Sequence, residues 1–148
     1  MSRENLEIVQ RVYDALARRD ATTPFEIYAK DIVWDMSQMK RAALYERPVY
    51  VGHEAVRGLW RESLAAFGEI DFDLERLSEA GERVFAVVHE RAVGRTSGAA
   101  VQAIHYAVWT LAGGKAVRLQ IFDDRDRALE AAGLATPKAL RTRARTGD

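Results

Sequence analysis

The chain has no cysteine, which rules out disulfides, thiolate nucleophiles and cysteine-ligated metals before any fold is considered. It also lacks an excess of charge of either sign. Its 22 basic residues cancel 22 acidic ones, so no global field favours nucleic acid or an anionic membrane, and any partner must be recognised locally. A long apolar run is missing as well. Met1-Ser2-Arg3-Glu4-Asn5 leads straight into a charged amphipathic pattern rather than a signal-type core, and nothing later approaches membrane-spanning length. These absences predict a soluble, cytoplasmic protein with no nucleic-acid and no membrane partner. What is present is 148 residues, 48% hydrophobic and 30% charged, enough to bury the core of one domain.

Leu6, Val9, Val12, Tyr13 and Leu16 recur at helical spacing and predict a first amphipathic helix with Ser2 near its N-cap. Thr23-Pro24-Phe25-Glu26 reads as a capping box with proline at the first helical position, predicting a short second helix to about Ala29. Ile32-Val33-Trp34 predicts a brief strand, and Met36 to Pro48 an irregular excursion suited to covering a cavity mouth. In the third helix Val56, Leu59, Trp60, Leu64 and Phe67 share a face, with Gly68 as its stop. Period-2 alternation then marks strands through Ile70, Phe72 and Leu74, over Arg83–Val93, over Val101–Leu111 and over Lys115–Phe122, before Asp124-Arg125-Asp126-Arg127 opens a short helix. The predicted class is α+β, with three N-terminal helices packed on a bent antiparallel sheet. Residues 1–134 form the domain; residues 135–148, with Arg141, Arg143 and Arg145, read as a flexible basic tail.

The order and spacing of several segments resemble the SnoaL-like branch of the nuclear transport factor 2-like superfamily. They are Tyr13-Asp14-Ala15-Leu16 with Asp20, Asp31-Ile32-Val33-Trp34, Gly52-His53-Glu54-Ala55-Val56-Arg57, Ser97-Gly98, Val108-Trp109-Thr110-Leu111 before Gly114-Lys115, and Phe122-Asp123 with Ala128-Leu129-Glu130-Ala131-Ala132-Gly133-Leu134. The resemblance implies a cone-shaped half-barrel, cystatin-like in its α+β layout, enclosing an apolar cavity, commonly in a homodimer. It also implies a small hydrophobic ligand. Chemistry stays open, because the superfamily includes ketosteroid isomerases, epoxide hydrolases, polyketide cyclases, dehydratases and non-catalytic binders.

Within that frame the last hairpin decides which side chains face the cavity. A three-residue loop Ala112-Gly113-Gly114 pairs Leu111 with Lys115 and sets Trp109 beside Val117, Ala107 beside Leu119 and His105 beside Ile121. Its inner face is then His105, Ala107, Trp109, Val117, Leu119, Ile121 and Asp123. The outer face, with Tyr106, Val108, Thr110, Arg118, Gln120 and Phe122, suits solvent or a dimer partner. A two-residue Gly113-Gly114 turn shifts the register by one. On Arg83–Val93, the set Ala86, Val88, Glu90 and Ala92 faces inward because the other set carries His89 and Arg91. Glu90 is then a cavity carboxylate, or a strand-end residue paired with Arg91, Arg95 or solvent.

His105, Glu90 and Asp123 are the candidate catalytic groups. A carboxylate beside an imidazole in an apolar cone suits general acid/base work, since desolvation raises a carboxyl pKa toward neutrality. Proton transfer next to a carbonyl, or a cyclisation or dehydration driven by it, follows; the alternative is a polar cluster tuning an inert pocket. Tyr13, Trp34, Trp109, Leu119 and Ile121 are candidate ligand-binding walls, while Trp60 and Phe67 read as core. No cofactor and no metal site is expected, because one histidine and two carboxylates at no recognisable spacing make a poor ligand set. Set against the resembling enzymes, the isomerase base falls near Met36 with Asp35 adjacent. The epoxide hydrolase acid falls at Ile121, and that enzyme's arginine and aspartate fall at Val88 and Glu90. His53 reads as a solvated helix-terminus residue and His89 as outward-facing.

Overall fold

The structure, a computed structural model, describes residues 2–39 and 47–134. Within them the order is α1 (Ser2–Ala17), α2 (Thr23–Ile27), β1 (Tyr28–Gln38), β2 (Val49–Val51), α3 (His53–Ala66), β3 (Phe67–Ala80), β4 (Arg83–Gly94), β5 (Ala100–Ala112), β6 (Lys115–Phe122) and α4 (Arg125–Ala132). The expected basic tail and the centre of the Met36–Pro48 excursion lie outside the described residues.

The strands form one curved, unclosed sheet in the order β2-β1-β6-β5-β4-β3, the α+β cone that the resemblance implied. It is mixed rather than antiparallel, because β1 runs parallel to β6 while every other neighbouring pair is antiparallel. The brief strand expected at Ile32-Val33-Trp34 is an eleven-residue β1 that begins where Tyr28 turns extended and ends α2. Burial of Ile32, Trp34 and Met36 alternates with Val33 and Asp35, so a helix-covered inner face carries the strand through charged residues. Asp35 lies on the outer side, where Arg118 of β6 meets it at 3.1 Å.

Strand alternation sends each strand's residues into two cores. On the inner face Val84, Ala86, Val88, Ala107, Trp109 and Leu119 pack with Val9, Val12, Val56 and Leu59 from the helices. The outer face is covered in part by α4, whose Ala128, Leu129 and Ala132 bury Phe85, Val87, Val108 and Phe122. That face is thus not left wholly to solvent or a partner. Gly68 does not stop α3; the helix ends at Ala66 and Gly68 sits at a bulge in β3, where a missing side chain is tolerated.

The hairpin between β5 and β6 departs from the expected three-residue loop. Ala112 pairs with Lys115 around a two-residue Gly113-Gly114 turn, both glycines at positive φ (58° and 78°), which L side chains rarely adopt. A bulge then absorbs Val117, so Thr110 pairs with Arg118, Trp109 with Leu119 and Ala107 with Ile121. The turn alone would move Leu119 and Ile121 to the outer face; the extra residue restores them to the inner one. The pairing is two residues from the expected one, and apart from Val117 and Asp123 the inner-face set is kept.

The junction of α1 and α2 is held by one carboxylate. Asp20 accepts hydrogen bonds from the Thr22 and Thr23 backbone N–H groups and from the Thr23 hydroxyl, so the expected Thr23–Glu26 capping box is replaced by a cap from three residues upstream. These bonds, led by the Thr23 hydroxyl, lower the Asp20 pKa to about 2 from its ordinary 3.8. A depressed carboxyl pKa stabilises the fold above the ordinary value and ceases to do so as pH falls through the depressed one. Asp20→Ala should therefore be less stable than wild type at pH 6, with the difference in urea midpoint shrinking between pH 3.8 and about 2. A difference that stays constant down to pH 2 contradicts this account.

Candidate functional site

A chamber lies between the inner face of the sheet and the helices. Its walls are mostly rings, each packed on the next: Tyr13, Trp109, Tyr28, Trp34, Trp60, Phe72 and His105 follow one another with centroids 5.7 to 6.1 Å apart. Edge-on contacts dominate the series; only Tyr28 and Trp109 stack. Met36, Leu59, Leu119 and Ile121 add to the apolar lining. Tyr13, Trp34, Trp109, Leu119 and Ile121 therefore all stand where the sequence places them. Trp60 is a wall as well as core, and Phe67 lies outside the lining.

Among the described residues three polar side chains interrupt this surface: Ser63, whose hydroxyl donates to the Leu59 carbonyl oxygen, and the pair Glu90 and His105. The β4–β5 register sets Val88 opposite His105 and Glu90 opposite Ala103, which makes Glu90 and His105 diagonal neighbours on one face. Glu90 Oε2 and His105 Nδ1 are 3.4 Å apart, an ion-pair distance without hydrogen-bond alignment. His105 is 6% exposed and the Glu90 side chain 20%. Phe72, paired with Glu90 across β3 and β4, places its ring edge-on to the imidazole. In the neutral imidazole, a proton on Nδ1, the side of Glu90, leaves Nε2 as the basic nitrogen.

Asp123 does not join them. It is exposed beyond the end of β6, on a separate depression with Ser37, Asp124 and Arg127, because the strand runs out before this second carboxylate reaches the chamber. Of the positions matched to resembling enzymes, Met36 and Ile121 line the chamber as apolar groups, and Asp35 is engaged with Arg118 on the other side of the sheet. His53 is half-buried rather than a free helix-terminus residue: its Nε2 lies 3.0 Å from the Tyr28 carbonyl oxygen and its ring packs on Phe25. His89 faces outward, 3.3 Å from Glu75. Among the described residues no group of three His, Asp or Glu is placed to hold a metal ion, and no helix is long and apolar enough to cross a membrane.

The lining also contains polar atoms with nothing to bind. Trp109 Nε1 donates to the Tyr13 hydroxyl at 3.0 Å, but the Tyr28 hydroxyl and Trp34 Nε1 are buried without a hydrogen-bond partner among the described residues. Each such group costs about 1–3 kcal/mol when left unsatisfied. Burial pushes the phenol pKa of both Tyr13 and Tyr28 upward, countered at Tyr13 by the Trp109 bond and reinforced at Tyr28 by Tyr13, so both stay neutral. Sequence reasoning missed Tyr28, which it assigned to a helix, and Phe72, whose inward parity was legible in Ile70-Asp71-Phe72-Asp73-Leu74.

The chamber itself is a cavity of about 70 Å³. Beyond Leu16, Trp60, Ile70 and Phe72, which it shares as a common wall, a vestibule of about 430 Å³ opens between the α1–α2 junction and α3.

Solved structures with the same architecture are numerous. A nuclear transport factor 2-like protein of unknown function from Burkholderia pseudomallei K96243 is 22% identical with a TM-score of 0.72, the match covering 86% of this chain and 95% of that one. TerC, co-crystallised with polyporic acid, is 18% identical with a TM-score of 0.72, covering 88% and 98%. A proposed SnoaL-like polyketide cyclase from Jannaschia sp. CCS1 is 17% identical with a TM-score of 0.68, covering 92% and 95%. Among curated proteins, none matches the chain in sequence. The SnoaL-like domain family matches residues 9–119, and with that match spanning most of its length the chain belongs to this family.

Proposed function

We propose that the chamber, together with the vestibule beside it, binds a small, flat, hydrophobic molecule bearing a carbonyl-type oxygen and moves a proton beside that oxygen without a cofactor, as an isomerase, cyclase or hydrolase does. The observation that carries the reading is the Glu90–His105 pair, 3.4 Å apart in a chamber whose described lining is mostly apolar. In water such a pair would be unremarkable; enclosed by rings, it meets little competition from solvent for a substrate proton. The unpartnered Tyr28 hydroxyl and Trp34 N–H supply the complementary half, two donors for the oxygen on which negative charge develops when the neighbouring C–H bond gives up its proton. The pair accepts that proton and returns it at another position, so no oxidant or metal is called for. Tyr13, Trp109, Leu119 and Ile121 hold the ligand's faces. Asp123, outside the chamber, has no part in the step.

Ligands in structural neighbours support a binding role, polyporic acid in TerC and trimethylamine in a protein of ketosteroid isomerase-like fold from Catenulispora acidiphila. The expected homodimer belongs to the same proposal; its candidate face is the outer side of β4 and β5, where Val93 and Ile104 are exposed. A second reading, non-catalytic ligand binding, draws on the missing hydrogen-bond alignment between His105 and Glu90.

Two experiments separate these readings. The protein should accelerate exchange of the α-protons of 2-tetralone for deuterium in D₂O, followed by NMR, and Glu90→Gln and His105→Gln should each slow it by about 100-fold or more while remaining folded. Binding of 2-tetralone with no acceleration, or exchange unaffected in both variants, establishes the non-catalytic reading instead. Tyr28→Phe removes an unsatisfied hydroxyl, so the empty protein should be as stable as wild type or about 1 kcal/mol more so in urea unfolding. The same variant should bind 2-tetralone about tenfold more weakly. Clear destabilisation with unchanged affinity would show that the hydroxyl serves the fold and not the ligand.

A further inference from the structure

The vestibule carries a charge pattern that proton transfer in the chamber does not use. Its floor is apolar, with Phe25, Leu64 and the shared Trp60 and Phe72, and around it stand Arg19, Arg57 and Arg61. The three cations are not equivalent. Arg19 is neutralised by Asp71 at 2.8 Å, with Glu69 at 3.8 Å. Arg57 lies 4.4 Å over the Phe25 ring, and its contact with Glu54 is a 3.5 Å pair with a largely exposed carboxylate, of the kind that contributes little. Among the described residues, no ion pair or side-chain hydrogen bond engages Arg61.

Arg57 and Arg61 are four residues apart on α3, so they share a helix face, where like charges repel. The carboxylate lining the vestibule, Asp20, is already occupied by Thr22, Thr23 and Arg18. Two guanidinium groups one turn apart therefore line an apolar concavity, and among the described residues the anion paired with them is the largely exposed Glu54, on Arg57. A guanidinium stacked on a ring keeps its in-plane N–H donors for a planar anion, the geometry that favours a carboxylate. Size points the same way. The chamber's 70 Å³ is below the volume of small-molecule sites, whereas the vestibule's 430 Å³ is within it.

We infer that the vestibule is an anion-reading subsite, and that the ligand is an aromatic carboxylic acid whose carboxylate is held by Arg57 and Arg61 while its flat body lies against Trp60 and Phe72, pointed at the chamber. The direction of the body rests on the proposed function; the anion site does not. The subsite selects charged, acid-bearing ligands over neutral ones of the same shape.

Calorimetric titration of the intact protein with 2-naphthoate and with 2-acetylnaphthalene, a neutral molecule of nearly the same shape, tests this. Wild type should bind naphthoate about tenfold or more tightly than the ketone at low ionic strength, with the preference shrinking as salt screens the arginines. The Arg57→Gln/Arg61→Gln double variant should lose that preference and keep its affinity for the ketone. Arg61→Gln alone should lose part of it, and because no ion pair or side-chain hydrogen bond engages Arg61 among the described residues, this variant guards against damage from unstacking Arg57 from Phe25. Equal binding of the two ligands by wild type, binding of neither, or a preference that survives the double variant overturns the inference. Arginine-dependent naphthoate binding without any binding of the ketone upholds the subsite and counts against the chamber as the ligand's destination.

Discussion

Trp109 is the side chain on which the sheet, the helices and the chamber depend together. It is 2% exposed at the middle of the inner face, stacks on Tyr28 from β1 and donates its indole N–H to the Tyr13 hydroxyl of α1. One residue thus fixes how far the first helix stands from the sheet. Burying so large a ring stabilises the fold by about 2–3 kcal/mol, and the bond to Tyr13 satisfies two polar atoms that would otherwise be stranded. Leu119 supports the ring from across the β5–β6 pair, and it does so only because the bulge at Val117 corrects the parity set by the two-residue turn. The curvature that opens a space, and the faces that line it, follow from that local arrangement.

The chamber is built against the usual economy of a core. A sequence optimised for stability alone would place apolar groups at positions 28, 34 and 105, since each polar atom left unsatisfied in a buried interior is costly. Here the Tyr28 hydroxyl, Trp34 Nε1 and His105 Nδ1 all lack a hydrogen bond, and all belong to residues around one cavity. Their grouping gives the proposed ligand its chemistry, an oxygen acceptor at one end and an acidic C–H at the other. The rim of arginines adds a preference for negative charge where solvent still reaches.

Much of this was legible in the sequence. Helical spacing located α1 and α3, alternation located β3 to β6, and parity alone turned Glu90, His105, Trp109, Leu119 and Ile121 inward. The failures have physical causes. β1 was shortened because its outer face is Lys30, Asp31, Asp35 and Ser37, which mask a strand whose partner β6 is some eighty residues away; parallel pairing leaves no turn nearby to announce it. The hairpin register was misplaced because a turn and a bulge cancel in parity, so the face survives while the pairing shifts. Asp123 kept its inward parity but lies past the last residue of β6, where alternation no longer governs direction. Asp20's capping role was hidden by a better-looking motif at Thr23. The Tyr28 and Trp34 orphans could not be read at all, since an unmet hydrogen bond is a property of packing and not of composition.

A crystal structure with 2-tetralone bound tests the central claim most directly. The account predicts the bicyclic body among the rings of Trp34, Trp60, Phe72 and Trp109, its oxygen within hydrogen-bond distance of the Tyr28 hydroxyl and Trp34 Nε1, and its α-carbon facing the Glu90–His105 pair. Density for the ketone elsewhere, or an interior still closed around Tyr28 and Trp34 with no oxygen reaching them, would contradict it.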